Sequence, residues 1–365
     1  MKLRYPRYFR PFRCSAGECP DTCCRDWEVV LDEETAARYR AEAGPLGKTL
    51  RAAMEEADGE TCFRLRQGLC PLLDERGLCR IQLELGEAAL SRSCRLHPRF
   101  AEEYGALREW SLSMACPEAV RLLLADPAPM ALEEETTDEP VTGCNDLDAR
   151  LFYHLVEARR AAFACCQDRR LPWQQRLGRL LAFAAALQRN LDRHRPGRLP
   201  ETTARFAQGR LRPLPVGTDP QGGAALLARL RGLEPINGRW QALLAEALAA
   251  PAGGEDRRRF AEAARAWEYE YEHLLHYFLY RYFLKAAVDR RLLPRMQLAA
   301  FGVLCVRELE LARFCAGGLD EAGRVDVIHR FSREVEHSED NLGRLLVRFA
   351  ADPALSPEAL AASAW

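Results

Sequence analysis

Nine of the fourteen cysteines of this chain lie within its first 116 residues. Free cysteine is usually buried singly as a small apolar side chain, so nine in one segment indicate disulfides, metal ligands or a redox site. The N-terminal string MKLRYPRYFRPFRC contains no apolar run as long as that of a signal peptide. We therefore expect a cytoplasmic protein, in which disulfides are rare and clustered cysteines indicate metal binding or catalysis.

Charge and hydrophobicity narrow the class of protein further. The 365 residues include 52 basic and 53 acidic side chains, for a net charge of −1. A general nucleic-acid binder would show a basic excess, and no segment approaches the roughly 18 apolar residues of a membrane span. We therefore expect neither a nucleic-acid partner nor membrane insertion.

The pattern along the chain predicts a mostly α-helical protein with two domains. Residues 1–125 are predicted to form a small, mixed α/β, cysteine-rich domain that binds metal. Residues 126–143 are acidic and contain proline, which is typical of a linker. Residues 144–365 are predicted to form an all-helical domain, with a long loop at about 195–223 that is rich in proline and glycine.

Local patterns also predict individual elements. Alternating apolar residues at 27–31 and 110–114 predict two strands. Asp32 is predicted to cap a helix that ends near residue 43, and Cys116 to cap one that begins at Pro117. A helix N-terminus stabilises a thiolate, which suits a metal ligand. Further helices are predicted at 146–163, 173–193 and 256–289.

The cysteine spacing favours a thiolate-bound metal. Short loops lower the entropy cost of bringing ligands together, and such loops occur in Cys14-x4-Cys19-x3-Cys23-Cys24 and Cys70-x8-Cys79. With only His97 nearby, the set favours an iron–sulfur cluster or a four-cysteine zinc site. Adjacent side chains point in different directions, so one site with spare cysteines and two separate sites both remain open.

The C-terminal half contains candidate acid–base residues. Five polar residues recur at 3- and 4-residue steps and are predicted to share one face of one helix: His329, Arg333, Glu336, His337 and Asp340. Such a face is either a solvated surface or the lining of a catalytic cleft. Weaker candidates, for which a structural role in the core is the alternative, are Glu272, His273 and His276.

Several strings resemble the flagellin lysine N-methylase family, part of a wider group of zinc- or iron-chelating CxxCxxCC proteins. In the first half they are CSAGECPDTCCRDWEVVLD, CPLLDERGLCRIQLELGEAALSRSCRLHPR and EWSLSMACPEAVRLLL. In the second half, EYEHLLHYFLYRYFLKAAV and FSREVEHSEDNL are similar to the same family. The chain departs from the pattern in its longer opening spacing and in His97, which replaces an aromatic residue. The first departure leaves the ligand set open.

The resemblance implies a lysine N-methyltransferase that transfers methyl groups from S-adenosylmethionine to flagellin. It also implies a 4Fe-4S cluster or zinc, with metal ligands at Cys14, Cys19, Cys23, Cys24, Cys70, Cys79, Cys94 and Cys116. Lysine ionises near 10.4 in water, so methylation needs a group that handles its proton. From the polar helix face we predict Glu336, His337 and Arg333 as the catalytic residues.

Two other classes of protein remain open. The first is a non-catalytic zinc- or iron-chelating protein with a structural or partner-binding role. The second is an iron–sulfur redox or sensor protein. Only the methyltransferase requires affinity for S-adenosylmethionine, and only the redox protein requires a reversible couple.

Overall fold

The computed structural model describes residues 1–27, 29–57, 59–141, 147–219 and 222–365, and most of them are helical. The strands are β1 (Lys2–Pro6), β2 (Val29–Leu31), β3 (Met54–Ala57), β4 (Glu60–Phe63), β5 (Arg99–Tyr104), β6 (Leu107–Leu112) and β7 (Leu132–Thr136). The first helices are α1 (Glu33–Ala41), α2 (Gly44–Ala53), α3 (Arg80–Leu85), α4 (Arg92–Leu96) and α5 (Pro117–Leu124).

Twelve further α-helices follow in the described residues. They are α6 (Ala149–Cys166), α7 (Trp173–Asp192), α8 (Leu199–Ala207), α9 (Gly222–Leu230), α10 (Gly238–Ala249), α11 (Gly254–Ala263), α12 (Glu268–Tyr282), α13 (Ala286–Asp289), α14 (Leu293–Cys315), α15 (Glu321–Val335), α16 (Glu339–Ala351) and α17 (Pro357–Ala362). Within the described part of the chain, no helix combines the length and apolar character needed to cross a bilayer.

The strands form two sheets. The first has the order β5-β6-β1-β7, in which β1 runs parallel to β6 and antiparallel to β7. The second is the antiparallel sheet β2-β4-β3. The first sheet therefore joins the N-terminal strand to strands that follow it much later in the chain.

The buried apolar residues form two separate clusters. The larger one contains Phe12, Leu112 and side chains from all of α5–α17. The smaller one contains residues of β2, α1, α2, β4 and α3, among them Tyr39 and Phe63. The four-stranded sheet shares the larger core with the helices. Residues 14–97, which contain the smaller core, are therefore a separate packing unit from the rest of the chain. We call residues 14–97 the cysteine module and the rest of the chain the helical body.

This packing differs from the predicted division at residue 125. The segment predicted as a linker contains β7, which pairs with β1 along the sheet edge. Opposite charges favour the pairing, since Glu134 lies 2.6 Å from Lys2 and 2.7 Å from Arg4. Acidic character therefore marks a strand here. The end of the predicted linker, residues 142–143, lies outside the described residues.

The segment predicted as a long loop also contains regular structure. It includes α8, whose Phe206 stacks on Phe183 of α7 with ring centroids 3.9 Å apart. This packing stabilises a helix despite the flanking prolines and glycines. Residues 220 and 221 of the predicted loop are outside the described part.

Local signals correctly predict several helix starts. Asp32 caps α1 by accepting a hydrogen bond from the Thr35 backbone N–H at 2.9 Å. Cys116 is the N-cap of α5, which begins at Pro117. Helix α6 begins at Ala149, after the Asp148 cap, and the predicted start at Asp146 lies outside the described residues.

The predicted helix at 256–289 is wrong as one continuous element. A short 3₁₀ segment, Ala264–Trp267, separates α11 from α12, and another separates α12 from α13. The aromatic side chains of these helices nevertheless pack into the core, since Phe260, Tyr271 and Phe278 are all buried.

Candidate functional site

Four cysteine side chains of the module form one group, which we call the inner thiols: Cys24, Cys70, Cys79 and Cys94. All four contact the smaller core. Burial raises the pKa of Cys70 to about 12, and the thiols of Cys24, Cys94 and Cys79 add to the increase. Burial likewise raises the pKa of Cys94 to about 11, with Cys24 and Cys79 contributing. The four sulfurs therefore lie near enough to influence one another's ionisation.

A second group joins the module to the helical body. Burial raises the pKa of Cys116 to about 11, and Cys19 and Cys14 add to that increase. Cys23 lies between the two groups. Its pKa is raised chiefly by its hydrogen bond to Cys24 and also by burial, with smaller contributions from Cys14 and Cys94. The same hydrogen bond lowers the pKa of Cys24 to about 7, which makes Cys24 the preferred thiolate of the pair.

These residues have the donor atoms that a soft metal requires, but their side chains are not placed around a common metal position. Sulfur is the ligand of zinc and of iron–sulfur clusters, and a bound cation would offset the cost of ionising buried thiols. Yet no three or more His, Cys, Asp or Glu side chains in the described residues are placed to hold a metal ion. The donor set therefore matches a soft metal, while the side chains do not form a coordination sphere.

The polar residues predicted on one C-terminal helix are divided between buried and exposed positions. Helix α15 ends at Val335, and Ser338 caps α16, so the prediction of one continuous helix is wrong. Arg333 and Glu336 are buried, which excludes a solvated surface for these two. His337 and Asp340 are exposed.

The cysteine module covers this end of α15. The Asp21 carboxylate oxygen Oδ2 lies 3.0 Å from Nη1 of Arg333 and 3.5 Å from Nε2 of His329. Arg333 also donates a hydrogen bond to the backbone carbonyl of Arg25. Its guanidinium carbon lies 4.1 Å from the centre of the Trp27 ring, a cation–π contact. We call the region formed by these residues and their neighbours the junction: Asp21, Arg25, Trp27, His97, His329, Ser332, Arg333, Glu336 and His337.

The imidazole of His337, in a residue that is exposed as a whole, forms the edge of the junction. Its ring centroid lies 4.0 Å from that of Trp27 and 6.0 Å from that of His97. Desolvation, together with the charges of Arg281 and Arg333, lowers the pKa of His337 to about 4. Desolvation and the charges of His337 and Arg333 lower the pKa of His97 to about 3. Both rings are therefore neutral at pH 7.

A preorganised carboxylate lies on the body side of the junction. Oxygen Oε2 of Glu336 accepts hydrogen bonds from Tyr282 at 2.8 Å and from Tyr277 at 3.0 Å. Arg281 lies 3.5 Å from the same oxygen. The second oxygen, Oε1, is buried and has no hydrogen-bond partner. The side chain is therefore held firmly by one oxygen and leaves the other free to accept a hydrogen bond.

Unsatisfied polar atoms are concentrated here. Among the described residues, nineteen buried side-chain nitrogen and oxygen atoms lack a hydrogen-bond partner, and nine of them belong to the junction. Three of these nine, on Asp21, His329 and Arg333, nevertheless face one another as ion pairs. The residues that carry these nine atoms are Asp21, Arg25, His97, His329, Ser332, Arg333 and Glu336. Because buried polar groups are nearly always paired, this concentration makes the junction the candidate functional site.

The weaker sequence candidates instead have structural partners. Glu272 accepts hydrogen bonds from Arg169 at 2.9 Å and from Arg176 at 2.6 Å. The two ring nitrogens of His273 lie 3.0 Å from backbone carbonyl oxygens. His276 stacks on Phe163 with ring centroids 4.1 Å apart. Their contacts are those of core residues.

Sequence reasoning missed several residues of the junction. Asp21 lies within the first cysteine string, and Trp27 begins the strand that the alternation at 27–31 predicts. Tyr277, Arg281 and Tyr282 lie in the part of the chain that was predicted only as a helix at 256–289. The 4-residue step from Tyr277 to Arg281 could have indicated a polar pair on that helix.

Comparison with known proteins assigns the chain to a family. Residues 159–361 match the model of the FliB lysine N-methylase C-terminal domain. A protein named Lysine-N-methylase from Salmonella typhimurium is 38% identical over 138 residues, which are 36% of this chain and 34% of that protein. The Lysine-N-methylase of Salmonella choleraesuis matches equally well. The match thus spans about a third of the length of each of these relatives.

A further relative is shorter. The Flagellar biosynthetic protein FliU of Salmonella muenchen is 37% identical over 137 residues, which are 36% of this chain and 81% of that protein. No solved structure matches the chain. The family model, which covers more than half of the residues, shows that this chain belongs to the FliB lysine N-methylase family.

Proposed function

We propose that this protein is a protein-lysine N-methyltransferase that uses S-adenosylmethionine, acts on flagellin, and has its active site at the junction. The concentration of buried polar atoms without hydrogen-bond partners carries the choice of site. Family membership and the names of the Salmonella relatives support the reaction, and the name of the FliU relative supports a flagellar substrate.

In this proposal, Glu336 receives the lysine side chain. Its Oε2 is fixed by Tyr277 and Tyr282, so Oε1 is oriented without further cost when the substrate enters. A hydrogen bond from the lysine nitrogen Nζ to Oε1 would satisfy a buried acceptor that otherwise has no partner. Holding the amine in line with the methyl group accounts for much of the rate.

The surrounding charges favour the reactive form of the amine. Lysine ionises near 10.4 in water, and the positive charge of Arg281, 3.5 Å from Glu336, disfavours a second cation beside that carboxylate. The proton leaves Nζ for the Glu336 carboxylate or for water. The lone pair of the neutral amine then forms the new N–C bond as the C–S bond of the sulfonium breaks, with its electron pair remaining on sulfur.

Neutral rings provide a wall for the substrate. His337 and Trp27 pack against each other at the edge of the junction. At pH 7 the imidazole of His337 adds no charge, because its pKa lies near 4. The two rings can therefore contact the apolar stem of a lysine while Arg333, stacked on Trp27, stays fixed.

We further propose that the inner thiols hold a soft metal, as a 4Fe-4S cluster or as zinc. Cys14, Cys19, Cys23 and Cys116 would form a second group that supplies additional ligands. A structural metal adds folding free energy of about 10 kcal/mol or more in small domains, which suits a module with a small core of its own. The bound metal would hold the chain around Asp21 and Trp27 in place.

The test is methyl transfer by anaerobically purified protein. With flagellin and methyl-labelled S-adenosylmethionine, we expect label on the lysine nitrogen Nζ and none when the protein is omitted. Metal and sulfide analysis of the same sample identifies the cluster. Metal content without binding of the methyl donor or transfer would instead favour the non-catalytic chelating protein, and a reversible redox couple without transfer would favour the redox protein.

A further inference from the structure

We infer that Asp21 is a positioning residue that links the order of the cysteine module to the active end of α15. The inference rests on the proposed function for its catalytic consequence, but its structural part can be measured without methyl transfer. Asp21 lies between Cys19 and Cys23 and contacts a helix more than 300 residues later in the chain. It is therefore placed to connect the two parts of the molecule.

The contacts of Asp21 are directed toward two basic side chains. Its Oδ2 lies 3.0 Å from Arg333 and 3.5 Å from His329, and all three residues are buried. Removal of one member of a buried ion pair leaves the other charge without compensation. Arg333 would then lose one of the two polar contacts that accompany its stacking on Trp27, the other being to the Arg25 carbonyl.

The other oxygen of Asp21 makes a weaker contact at the surface. Oδ1 accepts a hydrogen bond from Arg239 at 3.4 Å, and the Arg239 side chain is 45% exposed. This contact is separate from the pairing with Arg333. Arg239→Gln is therefore a matched control that removes the Oδ1 contact of Asp21 and leaves both members of the Asp21–Arg333 pair in place.

The position of Asp21 depends on the cysteine module through the cysteines that follow it in the chain. Cys23 and Cys24 follow it closely in the chain, and the backbone N–H of Cys70 donates a hydrogen bond to the Cys24 carbonyl at 2.9 Å. Disturbance of the inner thiols therefore reaches the segment that carries Asp21, Arg25 and Trp27. Through Asp21 it would reach Arg333 and His329.

The test is a double-mutant cycle read by hydrogen–deuterium exchange of the backbone in residues 325–340. In the full chain we expect Cys70→Ala and Asp21→Ala each to raise exchange at least tenfold over this region. The double variant should add nothing to the effect of Asp21→Ala, and Arg239→Gln should match wild type. Wild-type exchange in Asp21→Ala or in Cys70→Ala would overturn the inference. So would an undiminished effect of Cys70→Ala in the Asp21→Ala background.

Steady-state kinetics of Asp21 variants distinguish a positioning role of Asp21 from a simple loss of structure. We expect Asp21→Ala to lower kcat about 100-fold, as a small misplacement of reacting groups does, while KM for flagellin changes less than threefold. Asp21→Glu keeps the carboxylate, so its kcat should be at least tenfold higher than that of Asp21→Ala. Equal changes in kcat and KM, or no rescue, would contradict a positioning role. If wild type shows no methyl transfer, the proposed function fails, whereas the exchange cycle still decides the structural link.

Discussion

The hydroxyl of Tyr282 donates a hydrogen bond to the carboxylate of Glu336 at 2.8 Å, in the buried interior beside the junction. Hydrogen bonds to charged groups contribute about 1.5–3 kcal/mol, and this one fixes the oxygen opposite the one proposed to bind substrate. We expect Tyr282→Phe to lower the free energy of unfolding by about 2 kcal/mol and to lower kcat for lysine methylation. Denaturant titration and steady-state kinetics measure the two effects. Unchanged kcat would show that Glu336 needs no such anchor.

His337 tests the wall of the proposed lysine site. The residue is exposed as a whole, and its ring packs on Trp27 outside both core clusters. We expect His337→Ala to reduce flagellin methylation at least tenfold while leaving the melting temperature within about 2 °C of wild type, because exposed substitutions cost about 0.5 kcal/mol or less. Wild-type turnover in this variant would remove His337 from the site.

The inner thiols should contribute more to stability than an ordinary buried cysteine. Loss of a buried thiol alone costs about 1 kcal/mol, whereas loss of a metal ligand costs several. We expect Cys70→Ala and Cys94→Ala to lower metal content and stability together. The matched control is Cys305→Ala, a fully buried cysteine of α14, which should keep the metal. Equal melting temperatures for all three variants would contradict a structural metal.

Glu310 should give the helical body a measurable pH dependence. Burial raises its pKa to about 8, well above the usual value near 4.5, although Tyr271 donates a hydrogen bond to it. Between pH 4.5 and 8 the folded state holds a proton that the unfolded state has lost, so stability falls as pH rises through this window. The slope approaches about 1.4 kcal/mol per pH unit.

The Glu310→Gln variant replaces the titrating carboxyl group of Glu310 with an amide, which does not ionise between pH 5 and pH 8. We expect its free energy of unfolding to change less than that of wild type between pH 5 and pH 8, so that the variant gains relative stability at the alkaline end. Chemical denaturation at a series of pH values provides the comparison. Parallel curves for the two proteins would show that Glu310 ionises normally.

Features that depend on neighbouring residues could be predicted from the sequence. Asp32 reveals the start of α1 because an Asp cap acts within one helical turn. Pro117 reveals the start of α5 in the same way. The cysteine strings and the polar steps of α15 also identify, without coordinates, the two parts of the chain that meet at the junction.

Features that depend on distant residues could not be predicted. The pairing of β7 with β1 joins segments about 130 residues apart, and an acidic strand at a sheet edge has the composition of a linker. Asp21 shows the same limit, because its role follows only from the position of Arg333. The 3- and 4-residue steps of the polar residues at 329–340 predict one continuous helix. They do not reveal that α15 ends at Val335 and that Ser338 caps a new helix.

The most direct test of the account compares methyl transfer by Glu336→Gln and Asp340→Asn under identical conditions. Glu336 is buried in the junction, whereas Asp340 lies four residues later in the chain and is exposed. With flagellin and labelled S-adenosylmethionine, we expect Glu336→Gln to lose at least tenfold in rate with unchanged metal content and folding, and Asp340→Asn to match wild type. General acid–base groups typically contribute about 10² to 10⁴ in rate. Wild-type transfer by Glu336→Gln would contradict the placement of lysine methylation at the junction.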